Sequence, residues 1–246
     1  MDEYFKEELQ TQIKLSLEMV QANIQLAAKR VGRRVDEIKL VAVTKMQPVE
    51  IIRAGIREGI GDFGENYPES AAEKIQKLKI DVPVKWHMIG HIQSRKAGTV
   101  CEYFDFVHSV DRIKIAKYID RYSAELNKVM PILLEVNLSG EESKFGWPAY
   151  NEEQWPGLVS AFNNLASFSN LKVNGLMTMP PLYSDPEETR PIYQKLKRLQ
   201  KYLTEKLPQF NWHELSIGTS YDYMVAVEEG ATFVRIGTEI FGKRPD

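Results

Sequence analysis

One lysine of this chain lies where an amine could act as a nucleophile. Lys45 ends the segment Ile38–Lys45 (IKLVAVTK), which is mostly apolar and β-branched, as is typical of a strand buried on both faces. If the side chain points inward, desolvation lowers the pKa of its ammonium group and favours the reactive free amine. Such an amine can form a Schiff base with an aldehyde. The alternative is a lysine at the rim whose charge stays in water.

Two glycine-containing segments could hold a phosphate group opposite this amine. They are Leu215–Ser220 (LSIGTS) and Val234–Thr238 (VRIGT), which end the last two predicted strands. Their glycines, Gly218 and Gly237, would let backbone amides approach an anion, and Arg235 adds a permanent positive charge. The hydroxyl groups available there are those of Ser216, Thr219, Ser220 and Thr238.

The same segments also fit simpler roles, because glycines close turns and hydroxyls cap helices. For the phosphate interpretation, a helix that starts near Asp222 would direct its N-terminal dipole at the same anion. Singly, these features leave both interpretations open. Together, a phosphate seat opposite the amine of Lys45 indicates a phosphorylated aldehyde as the ligand.

The elements that must position these residues alternate along the chain. We predict a single α/β domain over residues 1–246, a (β/α)8 TIM barrel whose site lies at the carboxyl ends of the strands. An extra N-terminal helix within residues 1–32 carries an apolar stripe that would pack on the barrel. Pro48 is expected in the first turn of a helix and Asp111 at a helix cap. The predicted strands are Ile38–Lys45, Asp62–Asn66, Val84–Gly90, Phe104–Val110, Pro131–Leu138, Val173–Met179, Glu214–Ser220 and Phe233–Gly237.

Composition narrows the class of protein. The 246 residues include 32 Lys and Arg against 34 Asp and Glu, a balance that gives no electrostatic attraction to nucleic acid or an anionic membrane. Cys101 is the only cysteine, so no intrachain disulfide can form, and the first residues do not read as a signal or transit peptide. We therefore expect a cytoplasmic monomer that binds a small molecule.

Ordered motifs cover nearly the whole chain after the first helix and resemble one family, the pyridoxal phosphate homeostasis proteins (the YggS/PROSC family). The motifs are AVTKMQP at 42–48, DFGENY at 62–67, KWHMIGHIQSRK at 85–96, VHSVD at 107–111, EVNLSGEESKFG at 135–146, NGLMTM at 174–179, SIGTSYD at 216–222 and VRIGTEIFGKR at 234–244. The resemblance implies the barrel of the alanine racemase N-terminal domain and pyridoxal 5′-phosphate (PLP) as the cofactor.

The resemblance also implies roles for particular residues. Lys45 would be the Schiff-base lysine with Asn66 beside the cofactor, and Arg235 is similar to the arginine that faces the pyridine nitrogen in racemase-like barrels. Ser220, Gly237 and Thr238 would contact the phosphate. Many relatives carry Ser-Lys-Thr where this chain has Thr-Lys-Met, and Ser-Met-Gly-Met-Ser where it has Ser-Ile-Gly-Thr-Ser. The predicted cofactor-binding set is Lys45, Asn66, Met177, Ser216, Gly218, Thr219, Ser220, Arg235, Gly237 and Thr238.

Three functions fit these features. The favoured one is a protein without a dedicated reaction that holds PLP, releases it to apo PLP enzymes and so acts in intracellular vitamin B6 homeostasis. The second is an amino-acid racemase, which needs a second base opposite Lys45. Racemases have a tyrosine four residues past the lysine, where this chain has Val49, and another from an added domain that we do not expect after Asp246. The third is a barrel enzyme acting on a phosphorylated metabolite.

Other residues rank lower as candidates. His87 and His91 are interpreted as structural groups rather than zinc ligands, because further ligands are missing. Lys144 is interpreted as a solvated loop residue. Three tryptophans are expected to serve in packing: Trp147, Trp155 and Trp212.

Overall fold

A closed barrel of parallel strands forms the centre of the molecule. The computed structural model describes residues 3–78 and 82–243. Its strands are β1 Lys39–Val43, β2 Asp62–Glu65, β3 Lys85–Met88, β4 Phe106–Val110, β5 Met130–Asn137, β6 Trp147–Pro148, β7 Leu171–Met177, β8 Glu214–Thr219 and β9 Phe233–Ile236. They lie in the order β4-β3-β2-β1-β9-β8-β7-β5, and pairing of β4 with β5 closes the ring. The short β6 adds to the outside of β5. The predicted (β/α)8 barrel is confirmed.

Helices surround the barrel. They are α1 Glu3–Arg30, α2 Val49–Arg57, α3 Pro68–Leu78, α4 Ala97–Tyr103, α5 Ile113–Glu125, α6 Trp155–Asn163, α7 Arg190–Lys206, α8 Tyr223–Glu228 and α9 Thr238–Phe241. Within the described residues, none of them has the length and apolar character needed to cross a membrane. The tryptophans expected to pack do so, since Trp155 and Trp212 are buried and Trp147 packs against the same core.

The positions predicted for two residues at helix starts are wrong by one residue each. Pro48 precedes α2 as its N-cap instead of lying in its first turn. Asp111 does not cap α5, because Arg112 takes that position in extended conformation. The carboxylate of Asp111 instead contacts Arg112 and His91. A short polar residue before a helix predicts a cap only statistically. Here the carboxylate of Asp111 forms ion pairs and does not cap the helix.

The N-terminal helix packs on the barrel layer. It contacts α2, α8 and α9, and its apolar stripe is buried there: Ile13, Leu17, Val20, Ile24 and Ala27. Val31, which the sequence pattern places on the same stripe, follows the helix end and is exposed. The predicted helix and the predicted domain also include residues 1–2, 79–81 and 244–246, which lie outside the described residues.

The barrel interior holds a small apolar layer of its own. Val41, Leu133, Met177 and Phe233, from four different strands, pack together separately from the main core between strands and helices. Side chains from four strands can meet only inside the ring. Met177 is therefore part of this interior layer, and the more polar residues that follow along the strands lie toward the barrel mouth.

Candidate functional site

A cavity of about 840 Å³ opens at the carboxyl ends of the strands. Seven of the ten residues predicted to bind the cofactor line it: Lys45, Asn66, Thr219, Ser220, Arg235, Gly237 and Thr238. The other three, Met177, Ser216 and Gly218, do not line it. The structure thus brings together the amine of Lys45, the guanidinium group of Arg235 and the two glycine-containing segments, which are far apart in the sequence.

The turn after β1 positions Lys45. The predicted strand Ile38–Lys45 ends at Val43, and the amide of Gln47 donates to the carbonyl of Thr44 at 3.0 Å, which closes a turn around Lys45 and Met46. Met46 has a φ of 63°, a left-handed conformation that glycine adopts more easily. Lys45 is partly buried and lines the cavity. Because β1 ends two residues before it, the position of Lys45 is set by this turn and not by the strand.

A buried ion pair lies under this turn. Lys74 Nζ is 2.7 Å from Glu65 Oε1 and donates to the carbonyl of Thr44 at 2.9 Å, while Thr44 Oγ1 donates to the same carboxylate oxygen at 2.8 Å. Burial raises the pKa of Glu65, and the charges of Lys74 and Lys45 oppose that rise. Glu65 Oε2 is buried without a hydrogen bond in the described structure. The pair ties α3 to the segment that carries Lys45.

The last two strands build the wall next to the end of β1, because β9 pairs with β1 and β8 pairs with β9. The amide of Gly237 donates to Ser220 Oγ at 3.1 Å, which links the segments after β8 and β9. A Cβ on Gly237 would lie 3.0 Å from the carbonyl oxygen of Val43, so a side chain there would crowd the end of β1. Gly218 has a different reason to be glycine. Its φ is +86°, and a Cβ would come within 2.6 Å of Ala226 on α8.

The start of α8 is occupied by protein groups. The carboxylate of Asp222 accepts hydrogen bonds from the amide of Thr219 at 2.7 Å and from Thr219 Oγ1 at 2.9 Å. It also accepts from the hydroxyl of the buried Tyr193. Burial and the neighbouring Asp222 together hold the pKa of Tyr193 well above its ordinary value. This network fixes the turn between β8 and α8 and places a negative charge where a helix dipole was predicted to act.

Arg235 forms the floor of the cavity. It is only 4% exposed, donates from Nη1 to Ser216 Oγ at 2.5 Å and from Nη2 to the carbonyl of Thr178 at 3.2 Å. Burial lowers the pKa of the guanidinium group, although arginine keeps its charge at neutral pH. Ser216 lies beneath it, away from the cavity, and serves as its acceptor.

Glu135 is a cavity residue that the sequence analysis missed. It lies in β5, is 7% exposed and lines the cavity. Burial raises its pKa to about 7, Asp111 adds to the rise and Arg235 opposes it. A single acidic residue within the apolar strand PILLEVNL was the available signal. A carboxyl group that titrates near neutral pH beside a buried arginine can donate or accept a proton there.

The remaining wall comes from the loops after β3 and β5. The rings of His91 and Phe145 stack with centroids 3.8 Å apart, and His91 Nδ1 lies 2.9 Å from Asp111 Oδ2. Lys144, interpreted from the sequence as a solvated loop residue, is partly buried and lines this wall. His87 does not line the cavity. Its side chain lies inside the barrel and is hydrogen bonded to His108 and Asp62.

Comparison with known proteins identifies the family. Residues 15–245 match the model of the alanine racemase N-terminal domain. A pyridoxal phosphate homeostasis protein of Aquifex aeolicus is 38% identical over 228 residues, which are 93% of this chain and 96% of that protein. One of Escherichia coli is 35% identical over 233 residues, covering 93% and 95% of the two chains. This chain belongs to the pyridoxal phosphate homeostasis protein family.

Solved structures agree with this family assignment. PipY of Synechococcus elongatus, in a structure with PLP bound, is 31% identical and superposes with a TM-score of 0.78, covering 89% of this chain and all of its own. An alanine racemase of Clostridium difficile superposes with a TM-score of 0.70 at 14% identity and matches over 57% of its length. At that identity the racemase shares the barrel fold, and nothing about its chemistry transfers to this chain.

Proposed function

We propose that this member of the homeostasis family binds PLP, holds it as a Schiff base on Lys45 and acts in vitamin B6 homeostasis rather than in a dedicated reaction. One observation carries the proposal: a single cavity contains the side chain of Lys45 together with Arg235 of the adjacent β9 and with Gly237 and Ser220, which follow β9 and β8. An amine and an anion seat in one cavity are what a phosphorylated aldehyde requires. The PLP-bound PipY relative supports this ligand.

The residues present fit this cofactor. The cavity of about 840 Å³ has room for it. The side-chain oxygen of Asn66 is buried beside the cavity and has no hydrogen-bond partner in the described structure, so a ligand donor would satisfy it. When PLP is bound, its aldehyde supplies a carbonyl that condenses with a primary amine and releases one water.

The phosphate would lie between the ends of β8 and β9. Ser220 and Thr238 offer hydroxyl donors there, and the amide of Gly237, which donates to Ser220 Oγ, would fix the position of the Ser220 hydroxyl. Because the amide and hydroxyl of Thr219 already bond to Asp222, Thr219 would contribute mainly by shaping the turn. Gly218 would act in the same indirect way through its packing on α8.

Arg235 would hold the ring of the cofactor at its pyridine nitrogen. Arginine does not readily give a proton to a pyridine nitrogen, so the ring would withdraw electrons weakly. Ser216 would act through Arg235, and Met177 would fill the barrel interior below. This arrangement favours holding the cofactor over activating a substrate carbanion.

A racemase-like activity is the second candidate, and Glu135 is the observation that favours it. Racemisation needs acid and base groups on both faces of the substrate α-carbon. A carboxyl group with a pKa of about 7 in the same cavity as Lys45 could serve one face. Val49 still stands where racemases carry a tyrosine, which leaves the carrier function better supported.

We further propose that the protein works in the cytoplasm as a monomer and passes PLP to apo-enzymes. The single buried Cys101 is compatible with a reducing compartment. Light scattering of the purified protein, with and without PLP, tests the monomer. Two copies in either sample would contradict it.

The deciding experiment compares two activities of PLP-loaded protein. One assay measures recovery of activity by an apo PLP enzyme, and the other measures racemisation of a broad amino-acid panel. We expect recovery of the apo-enzyme and no robust turnover. Robust turnover of one amino acid that falls in Glu135→Gln would overturn the carrier in favour of the racemase.

A further inference from the structure

A continuous chain of hydrogen bonds crosses the barrel interior and ends at the cavity. His87 Nε2 is 2.8 Å from Asp62 Oδ1, and His87 Nδ1 is 2.9 Å from His108 Nε2. His108 Nδ1 is 2.8 Å from Ser216 Oγ, which accepts from Arg235 at 2.5 Å. The residues come from β2, β3, β4, β8 and β9. The chain therefore connects the first residue of β2 to the cavity floor.

Apolar rings isolate this chain from water. The ring of His87 stacks on Phe106 with centroids 5.7 Å apart, and the ring of Phe233 lies 5.0 Å from His108 and 5.7 Å from His87. Both histidines are at most 1% exposed, whereas the side chain of Asp62 is 30% exposed. Hydrogen bonds in such surroundings are stronger than in water, and a broken one leaves a buried polar group unpaired.

The chemistry of the end groups fixes the direction of donation. A carboxylate only accepts, so Asp62 requires a proton on His87 Nε2, and a neutral His87 then accepts at Nδ1 from His108 Nε2. A neutral His108 accepts at Nδ1 from the hydroxyl of Ser216. Ser216 is thereby left to accept from Arg235, which can only donate. Each hydrogen bond of this series is therefore donated in the direction from Arg235 toward Asp62.

The charges around the chain agree with this direction. Burial opposes ionisation of Asp62, but the hydrogen bond from His87, together with the charges of Lys85 and Lys39, outweighs it, so the pKa of Asp62 is lowered. Burial, together with the charges of Arg235 and Lys39, holds the pKa of His108 well below its ordinary value. The acceptor end is therefore an anion and the central imidazole is neutral.

We propose that His87 and His108 are positioning residues that couple the orientation of Arg235 to the carboxylate of Asp62 at the opposite end of the barrel. This coupling rests on the proposed function, in which Arg235 lies against the ring of PLP. The pair does more than fill the interior, because apolar side chains of similar size would take from the buried hydroxyl proton of Ser216 its acceptor, His108 Nδ1. Placing one proton on His87 would reverse its bond to His108, moving the proton of His108 to Nδ1.

The first test reads the proton positions directly, in protein without cofactor. Nitrogen-15 spectra of the histidine rings at neutral pH should show His87 and His108 with the proton on Nε2 and an unprotonated Nδ1. A proton on Nδ1 of either ring at that pH would overturn the proposed direction. Because this measurement needs no PLP, it stands apart from the cofactor proposal.

The second test removes the charge at the far end. Asp62→Asn keeps an acceptor oxygen for His87 but loses the anion, and Asp105→Asn is its control. Asp105 is an exposed residue at the same end of the barrel, and its carboxylate accepts a hydrogen bond from the amide of Trp86 at 2.8 Å. It takes no part in the series of hydrogen bonds from Asp62 to Arg235. We expect Asp62→Asn to shift the nitrogen resonances of His108 and to weaken PLP binding about 2- to 10-fold, the effect of one weakened hydrogen bond. Asp105→Asn should change neither.

The outcomes separate the two proposals. If Asp62→Asn matches Asp105→Asn in both the spectra and the PLP titration, the coupling is wrong while PLP binding stands. If the wild-type protein gains no absorption band with PLP, the proposed function fails and the nitrogen spectra alone decide the direction of the chain. Ser216→Ala, which removes the last link next to Arg235, should weaken PLP binding at least as much as Asp62→Asn. A smaller effect would contradict the coupling.

Discussion

At the scale of single residues, the environment of Lys45 depends on groups that its own segment does not contain. Thr44 bonds to Glu65, and Lys74 from α3 bonds to both. A carboxylate buried this deeply is tolerated only while its partners remain. The lysine expected to bind the cofactor is thus supported by a second lysine that never reaches the cavity.

Lys74→Met should destabilise the protein strongly. It leaves Glu65 buried without its cation, and loss of one partner of a buried pair costs about 3–5 kcal/mol. The control is Lys77→Met on the same helix, whose ion pair with Glu73 is exposed on both sides and 3.9 Å long. Urea unfolding of the cofactor-free proteins measures both. Equal stabilities of the two variants would refute the importance of the buried pair.

Glu135→Gln should change how stability depends on pH. In the folded protein the pKa is about 7 against an ordinary 4.5, so the folded state keeps a proton that the unfolded chain loses. The stability that this group contributes is therefore complete below about pH 4.5 and is lost as the pH rises through 7.

The variant removes that loss. Between pH 5 and 8, Glu135→Gln should gain up to about 3 kcal/mol of unfolding free energy relative to the wild type. The exposed Glu205→Gln serves as the control and should follow the wild type. A constant difference between Glu135→Gln and the wild type across this range would show that Glu135 titrates normally.

The sequence alone points to those cavity residues whose position in the chain is unusual. Lys45 follows an apolar strand, and Arg235 stands within another, so both were recognised before any contact was known. Lys74, Glu135 and His108 were not, because their roles come from partners on other strands and helices. Lys74 in particular occupies a helix whose pattern gives no sign that its amine is buried.

At the scale of elements, one glycine shows how the barrel strands are kept in register. The pairing of β5 with β7 shifts between Ile132 and Leu133, opposite Gly175. Gly175 has a φ of +152°, and a Cβ there would lie 1.8 Å from the carbonyl oxygen of Glu214 on β8. The bulge lets β7 fit between its two neighbours.

Gly175→Ala should therefore cost about 3 kcal/mol or more, since both the conformation and the space exclude a methyl group. Gly157→Ala is the matched control. It lies exposed in α6 with nothing within 4 Å of the new methyl, and it should gain up to about 1 kcal/mol from helix propensity. Thermal unfolding distinguishes them, and a tolerated Gly175→Ala would show that the bulge can relax.

Element boundaries were predicted less well than element types. The predicted first strand continues to Lys45, whereas β1 ends at Val43. The β-branched Thr44 continues the residue pattern of a strand past Val43, so the pattern alone cannot mark the end. The real boundary depends on the turn closed by Thr44 and Gln47, and a non-glycine residue at φ 63° has no sequence signature.

At the scale of the whole molecule, the fold could be predicted because eight strands and their helices repeat with a regular period. The barrel, its strand order and the side on which the site lies follow from that repeat. The interior chain of histidines could not be predicted, since it depends on which residues of different strands face each other across the ring.

We propose that α1 and the barrel form one domain and unfold together. Leu17→Ala, at a buried position of α1, should lower the stability of the whole protein by about 2–5 kcal/mol in a single transition. Leu15→Ala on the same helix, where the side chain is 61% exposed, should change it by less than about 0.5 kcal/mol. Two separate unfolding transitions in Leu17→Ala would mean that α1 is independent of the barrel.

The most direct test of the whole account locates the cofactor on the chain. Protein mixed with PLP is reduced with borohydride, digested and examined by peptide mass spectrometry, with Lys45→Ala and the cavity variant Lys96→Ala in parallel. The account predicts a reduced pyridoxyl group on the peptide containing Lys45 in the wild type and in Lys96→Ala, and none at any lysine of the cavity in Lys45→Ala. A wild-type label on another lysine, or no label at all, would contradict it.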